Sequence, residues 1–187
     1  MIRSAVLRVA LSIAACSLSV SVASLTAYAA SPDSEPAYGA QLEGFEYPYP
    51  VSKFQFDSQR QKLEMAYIDV KPTSSPNGRT VVLLHGKNFC AATWEGSLKS
   101  LSDAGYRVIA VDQIGFCKST KPENYQFTFQ QLADNTHALL ASLGIDHAVI
   151  LGHSTGGMLA IRYALMYPNA VDQLVLVDPI GLEDWKT

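Results

Sequence analysis

The chain has 187 residues, 48% of them hydrophobic and 17% charged. That balance belongs to a folded globular domain and excludes a disordered, collagen-like or coiled-coil chain. A formal net charge of −3 offers no basic stripe for a phosphate backbone, so no nucleic-acid partner is expected. The three cysteines, Cys16, Cys90 and Cys117, lack CxxC spacing and a nearby His/Cys cluster, so no metal centre is expected.

Arg3 and Arg8 give the chain a positive start. Val9 to Val22 is apolar but interrupted by Ser12, Ser17, Ser19 and Ser21, and Ala27-Tyr28-Ala29 has the small-x-small form of a signal-peptidase site. Residues 1–29 therefore read as a secretory signal cleaved after Ala29. The serines argue against a retained anchor, and no stable membrane span is expected after cleavage. A lipoprotein reading, with Ile13-Ala14-Ala15 before Cys16, would leave a very short apolar stretch after Arg8. The mature chain is expected in the periplasm or outside the cell, where conditions are oxidising. Residues 30–46, with Pro32 and Pro36, read as a flexible lead-in.

Residues 47–187 carry the domain. Tyr47-Pro48-Tyr49-Pro50 is extended, because residues before proline avoid the helical region. Val51 to Phe56 alternates as a strand, residues 57–61 form a turn, and Leu63 to Val70 is a second strand, together an antiparallel hairpin. Asn77-Gly78 marks a turn. Thr80 to Leu84 is then an unbroken apolar run, as in a strand buried on both faces. Trp94 to Ala104 reads as a helix, Tyr106 to Val111 as a strand, and Phe127 to Leu143 as a helix with Phe129, Leu132, Thr136, Leu139, Leu140 and Leu143 at helical spacing. Ala148 to Leu151 is a strand, Gly156 to Tyr167 a helix, and Val171 to Val177 a last strand. Alternating strands and helices imply an α/β fold with a mostly parallel sheet covered on both faces.

In such a sheet, ligands bind beyond the carboxyl ends of the strands. Gly152-His153-Ser154-Thr155-Gly156 lies between a predicted strand and a predicted helix. A strand that reverses into a helix so abruptly strains the backbone at Ser154 and exposes its hydroxyl at a helix N-terminus. Gly152 and Gly156 remove side chains from that turn. Ser154 is thus the candidate nucleophile. His85-Gly86-Lys87 follows the strand Thr80 to Leu84, and Gly86 lets the backbone turn toward Ser154. A tetrahedral intermediate needs donors for its negative oxygen, and the backbone N–H groups of Lys87 and Thr155 are the candidates. The His85 side chain reads as structural, bonding loop backbone. Asp112, at the end of the strand Tyr106 to Val111, reads as a cap on backbone donors of its own loop. No motif calls for a cofactor.

These three motifs resemble the alpha/beta hydrolase superfamily, in the branch with a single histidine-glycine oxyanion loop. The resemblance runs from about Tyr47 to the C-terminus. It implies an alpha/beta-hydrolase fold and a small-molecule substrate. Epoxide hydrolases and haloalkane dehalogenases in that branch place an aspartate at the elbow. Ser154 instead implies ester, thioester or amide cleavage, or perester formation. The family pattern after the fourth strand is aspartate followed by glycine-x-glycine-x-serine. Gly115 and Ser119 fit it, while Cys117 stands in place of the second glycine. In the family the two strands preceding Cys90 and Cys117 are neighbours, so the resemblance implies a Cys90–Cys117 disulfide that pins the oxyanion loop.

The family's chain order is serine, acid, histidine. His85, His137, His147 and His153 all precede Ser154. Asp178, ending the last strand, is a candidate acid. Six strands are expected against the family's eight. The chain is accordingly expected to be the N-terminal part of a serine hydrolase that lacks the lid, the last strands and the catalytic histidine. The alternative is a non-catalytic truncated relative or binding module.

Overall fold

The computed structural model describes residues 38–182. Residues 1–37, which include the expected signal segment with Cys16 and the first part of the expected lead-in, lie outside the described residues. β1 (Val51–Ser58) and β2 (Gln61–Val70) form an antiparallel hairpin. β3 (Thr80–Leu84), β4 (Arg107–Val111), β5 (Ala148–His153) and β6 (Val171–Val177) run parallel to one another. The spatial order is β1-β2-β4-β3-β5-β6, with β2 antiparallel to β4. Three helices, α1 (Glu95–Asp103), α2 (Phe129–Ser142) and α3 (Thr155–Met166), cover the sheet. The mostly parallel sheet with an N-terminal hairpin is the architecture that the strand-helix alternation predicts.

Successive side chains of a strand point to opposite faces, and here both faces are buried. Val82, Leu84, Ile109, Val111 and Ile150 pack with Leu139 and Leu140 of α2 and with Leu159 and Tyr163 of α3. Val81, Leu83, Val108, Ala110 and Val149 pack on the other face with Ala91 and with Leu98 of α1. Two cores back to back explain why the central strands read as unbroken apolar runs rather than alternating ones.

Several boundaries differ from the sequence reading. The turn expected at residues 57–61 is shorter. Strand pairing continues to Ser58 opposite Gln61, so only Gln59 and Arg60 turn, both with positive φ. Such a turn suits the strand twist, but its usual Asn-Gly signature is absent. The helix expected from Trp94 begins as a 3-10 turn at Ala91–Trp94, before α1. The helix expected from Phe127 begins at Phe129, because the Thr128 side chain accepts the Gln131 N–H at 3.1 Å and caps it. Residues 38–46 turn back on themselves, with Phe45 edge-on to Tyr38 and Tyr47, and the Lys118 ammonium donates to the Leu42 carbonyl at 3.1 Å.

Among the described residues, β6 pairs on one side only. Leu174 and Val177 on this strand are 37% and 39% exposed, and Leu165 of α3 is 69% exposed. An unpaired edge beside apolar surface templates association. The purified 187-residue chain should therefore self-associate at micromolar concentration, and Leu174→Lys should reduce this in size-exclusion chromatography with light scattering. A monodisperse wild-type monomer with a cooperative melt would contradict the expectation.

Candidate active site

The carboxyl ends of the four parallel strands lie at one edge of the sheet, and each releases a loop there. The turn from β5 into α3 is the sharpest. Ser154 sits between them with φ 52° and ψ −117°, a conformation that a residue with a Cβ rarely adopts. Its N–H donates to the Val177 carbonyl at 3.1 Å, and its own carbonyl accepts the Gly157 N–H at 2.9 Å. The end of β6 and the first turn of α3 thus hold the strained residue in place. Glycine is required on either side. A Cβ on Gly152 would lie 2.1 Å from the Gly156 carbonyl oxygen, and one on Gly156 would lie 2.1 Å from the Leu84 carbonyl oxygen.

The loop after β3 passes directly over this elbow, since a Cβ on Gly86 would lie 3.1 Å from that of Ser154. Lys87 and Thr155 line the same small cavity, together with Gly86. The fold therefore brings Ser154, Gly86, Lys87 and Thr155 together at the ends of β3 and β5. Asp178 follows the last residue of β6. It is exposed and has φ 40°. Its neighbour Val177 accepts the Ser154 N–H, so Asp178 flanks the elbow.

His85 is buried and bonded at both ring nitrogens. The Gln113 N–H donates to Nε2 at 3.1 Å, which leaves the ring proton on Nδ1 to donate to the Gly86 carbonyl at 2.8 Å. Burial pulls its pKa below the ordinary histidine value, so the ring stays neutral. The other histidines are engaged elsewhere. His137 stacks on Tyr167 at 3.8 Å and bonds the Tyr163 hydroxyl. His147 pairs with Asp172 at 2.8 Å. His153 packs edge-on to Phe89 and Trp94. Among the described residues, no histidine is hydrogen-bonded to the Ser154 hydroxyl.

Asp112 is completely buried and does more than cap its own loop. One oxygen accepts the Ala91 N–H at 2.7 Å, and the other accepts the Lys118 N–H at 3.0 Å and the Tyr47 hydroxyl at 2.7 Å. Burial, and then the hydrogen bond to the carboxylate, raises the Tyr47 pKa far above its usual value, so Tyr47 stays a donor. Cys90 precedes Ala91 and Cys117 precedes Lys118. These two cysteines are joined as a disulfide, with Cα atoms 5.9 Å apart. One covalent bridge and one carboxylate hold the same two loops. Cys117 has φ 46°, the left-handed region that favours glycine. The two sulfurs and Asp112 converge to metal-ligand distances, but sulfurs bonded to each other leave no thiolate for an ion.

Two features escaped the sequence. No local signal joins Tyr47 to a carboxylate 65 residues away. Nor does any signal bring Phe116 together with Phe127 and Phe129, which wall an apolar cavity beside Thr155 of about 380 Å³.

Comparison with known proteins places this geometry. A model of the alpha/beta hydrolase fold family matches residues 79–186. The crystal structure of a probable hydrolytic enzyme from Pseudomonas aeruginosa PAO1 is similar, with 66% identity and a TM-score of 0.78, covering 81% of this chain and 48% of that one. Epoxide hydrolase 1 of Caenorhabditis elegans is 30% identical over 121 residues, 64% of this chain and 30% of that protein. A putative carbamate hydrolase of Yersinia enterocolitica is 32% identical over 121 residues, 65% of this chain and 43% of that protein. The chain thus spans less than half the length of each of these relatives. No helix among the described residues is long and apolar enough to cross a membrane. With more than half of its residues matched by the family model, and with the strand-elbow-helix geometry at Ser154, the chain belongs to the alpha/beta hydrolase fold family.

Proposed function

We propose that this chain is the nucleophile-bearing part of an exported serine hydrolase acting on small esters, thioesters or amides. The observation that carries the reading is Ser154, held at positive φ on the turn from β5 into α3 with glycines clearing the backbone around it. Strain of that kind persists where function requires it. A serine hydroxyl at this point attacks a carbonyl carbon, and its proton passes to a general base. The carbonyl oxygen becomes an oxyanion facing the Lys87 and Thr155 N–H groups. The bond to the leaving group then breaks as the base returns the proton to it, and water releases the acyl group by the same steps.

The base is not among the four histidines, all of which are engaged elsewhere. The proposal therefore assigns it to sequence beyond this chain, with Asp178 as one candidate for its acid partner. The same engagement favours a second reading for the 187-residue chain taken alone, which should show no turnover above background. A fluorophosphonate reacts only with an activated serine. Applied to the full-length gene product, it should label one peptide, the one containing Ser154. Labelling elsewhere, or none, would overturn the assignment. Export is tested separately by fractionation and N-terminal sequencing. A mature protein beginning at Ala30 is expected, and one that retains Met1 in the cytoplasm would contradict it.

A further inference from the structure

The apolar cavity beside the elbow has a composition that the proposed reaction does not by itself demand. Its walls are Phe116 from the loop after β4, Phe127 before α2, and Phe129 and Leu132 on the first turns of α2. Thr155 lines it as well. No charged side chain is among its lining residues. At about 380 Å³ it lies at the low end of the range for small-molecule sites.

Two of the walls are braced from behind. Phe116 packs edge-on to the buried His85, with ring centroids 5.2 Å apart. Phe127 packs edge-on to Tyr125 at 5.0 Å and sits over Gly115, where a Cβ would come within 2.8 Å of its ring. The Tyr125 hydroxyl is held by Ser58 at 2.9 Å and by the Asn135 amide at 3.0 Å. Even so, Phe127 is 49% exposed. A large aromatic ring, anchored from behind and open in front, suits an apolar ligand group at little ordering cost.

The sheet order decides which half of a substrate belongs there. The cavity lies on the β4 side of the elbow, and β6, the sheet edge nearer the elbow, lies on the other side. Under the proposed function the base sits on that side, where Asp178, the candidate acid partner, follows β6. The leaving group must face the base that protonates it. The acyl group is then directed the opposite way, toward the phenylalanines.

We propose that the cavity walled by Phe116, Phe127 and Phe129 is an acyl pocket, and that the substrates carry a medium-length apolar acyl group. This rests on Ser154 as the nucleophile, so the test has one arm that needs hydrolysis and one that does not. In the first arm, kcat/KM of the full-length gene product is compared for p-nitrophenyl acetate and p-nitrophenyl hexanoate. Hexanoate should be favoured, by up to about fourfold per added methylene. Phe129→Asp should lower the hexanoate-to-acetate ratio at least tenfold. Leu132→Trp, which fills the pocket without adding charge, should lower it too. Equal rates for the two esters, or a ratio unmoved by both variants, would overturn the proposal.

In the second arm, free hexanoate is titrated into the Ser154→Ala protein and followed by ligand-observed NMR. Binding that is lost in the Ser154→Ala, Phe129→Asp double variant supports the pocket even if no ester is cleaved, and the failure then lies with the nucleophile. No hexanoate binding to a folded Ser154→Ala protein would overturn the pocket whatever the esterase result.

Discussion

Ser154→Ala should lower ester turnover by the full-length gene product roughly a millionfold, which is the scale of losing a triad nucleophile. The fold should survive, because alanine keeps the Cβ and all the backbone bonds of the elbow. Ser154→Gly should be equally inactive yet more stable. Glycine adopts φ 52° without steric penalty, whereas a residue with a Cβ held there carries strain of about 1–3 kcal/mol. After the larger unfolded-state entropy of glycine is subtracted, a gain of about 1 kcal/mol remains, or roughly 2–4 °C in Tm. Steady-state kinetics and a thermal melt read the two effects independently. More than a few per cent of wild-type activity in the alanine variant would remove Ser154 from the nucleophile's place. A lower Tm for the glycine variant would remove the strain argument.

The second large effect belongs to Asp112, and it should appear first in stability. Asp112→Ala deprives three donors of their acceptor: the Tyr47 hydroxyl and the Ala91 and Lys118 N–H groups. A buried donor left unsatisfied costs about 1–3 kcal/mol, and some of the three will recover water, so a loss of about 3 kcal/mol is expected. That corresponds to a fall of roughly 6–12 °C in Tm. Tyr47→Phe removes one bond to the carboxylate and should cost about 1.5 kcal/mol. Asp112→Asn preserves the shape but turns an amide donor toward backbone donors, so it too should lower Tm. A catalytic Asp112 would behave in the opposite way, with the asparagine variant losing turnover at an unchanged Tm. The disulfide shares this work, because Cys90 and Cys117 adjoin the two backbone donors that Asp112 holds.

Much of this was legible along the chain. A strand buried on both faces must be apolar throughout its buried stretch, so Val81–Leu84 and Val108–Val111 declared themselves as unbroken runs. The elbow was legible because its constraint is local. Strand, turn and helix fall within a dozen residues, and only glycine fits where Gly152 and Gly156 meet neighbouring backbone. The structural role of His85 was legible for a similar reason, since one of its partners is the adjacent carbonyl of Gly86. Element ends were less legible. The Gln59-Arg60 turn carries no glycine or asparagine, and the start of α2 depends on the Thr128 cap rather than on the apolar repeat. The contacts of residues 38–46 depend on rings and carbonyls that meet only in the folded chain.

The sequence by itself determined the fold class, the order of the elements and the place of Ser154, because periodicity, turn chemistry and the close approach of glycines act over a few residues. Tertiary structure alone decided which distant groups share a site. Asp112 could be read only as a cap on its own loop until the sheet order set β4 between β2 and β3. Tyr47 and Ala91 then arrived from two different segments at one buried carboxylate. Phe116 and Phe127 face a common cavity because the loop after β4 and the start of α2 meet above the same strand ends. Such contacts depend on the path of the whole chain, and burial rather than local preference sets that path. A one-dimensional pattern records which residues seek burial, and it carries no trace of which partners they find there.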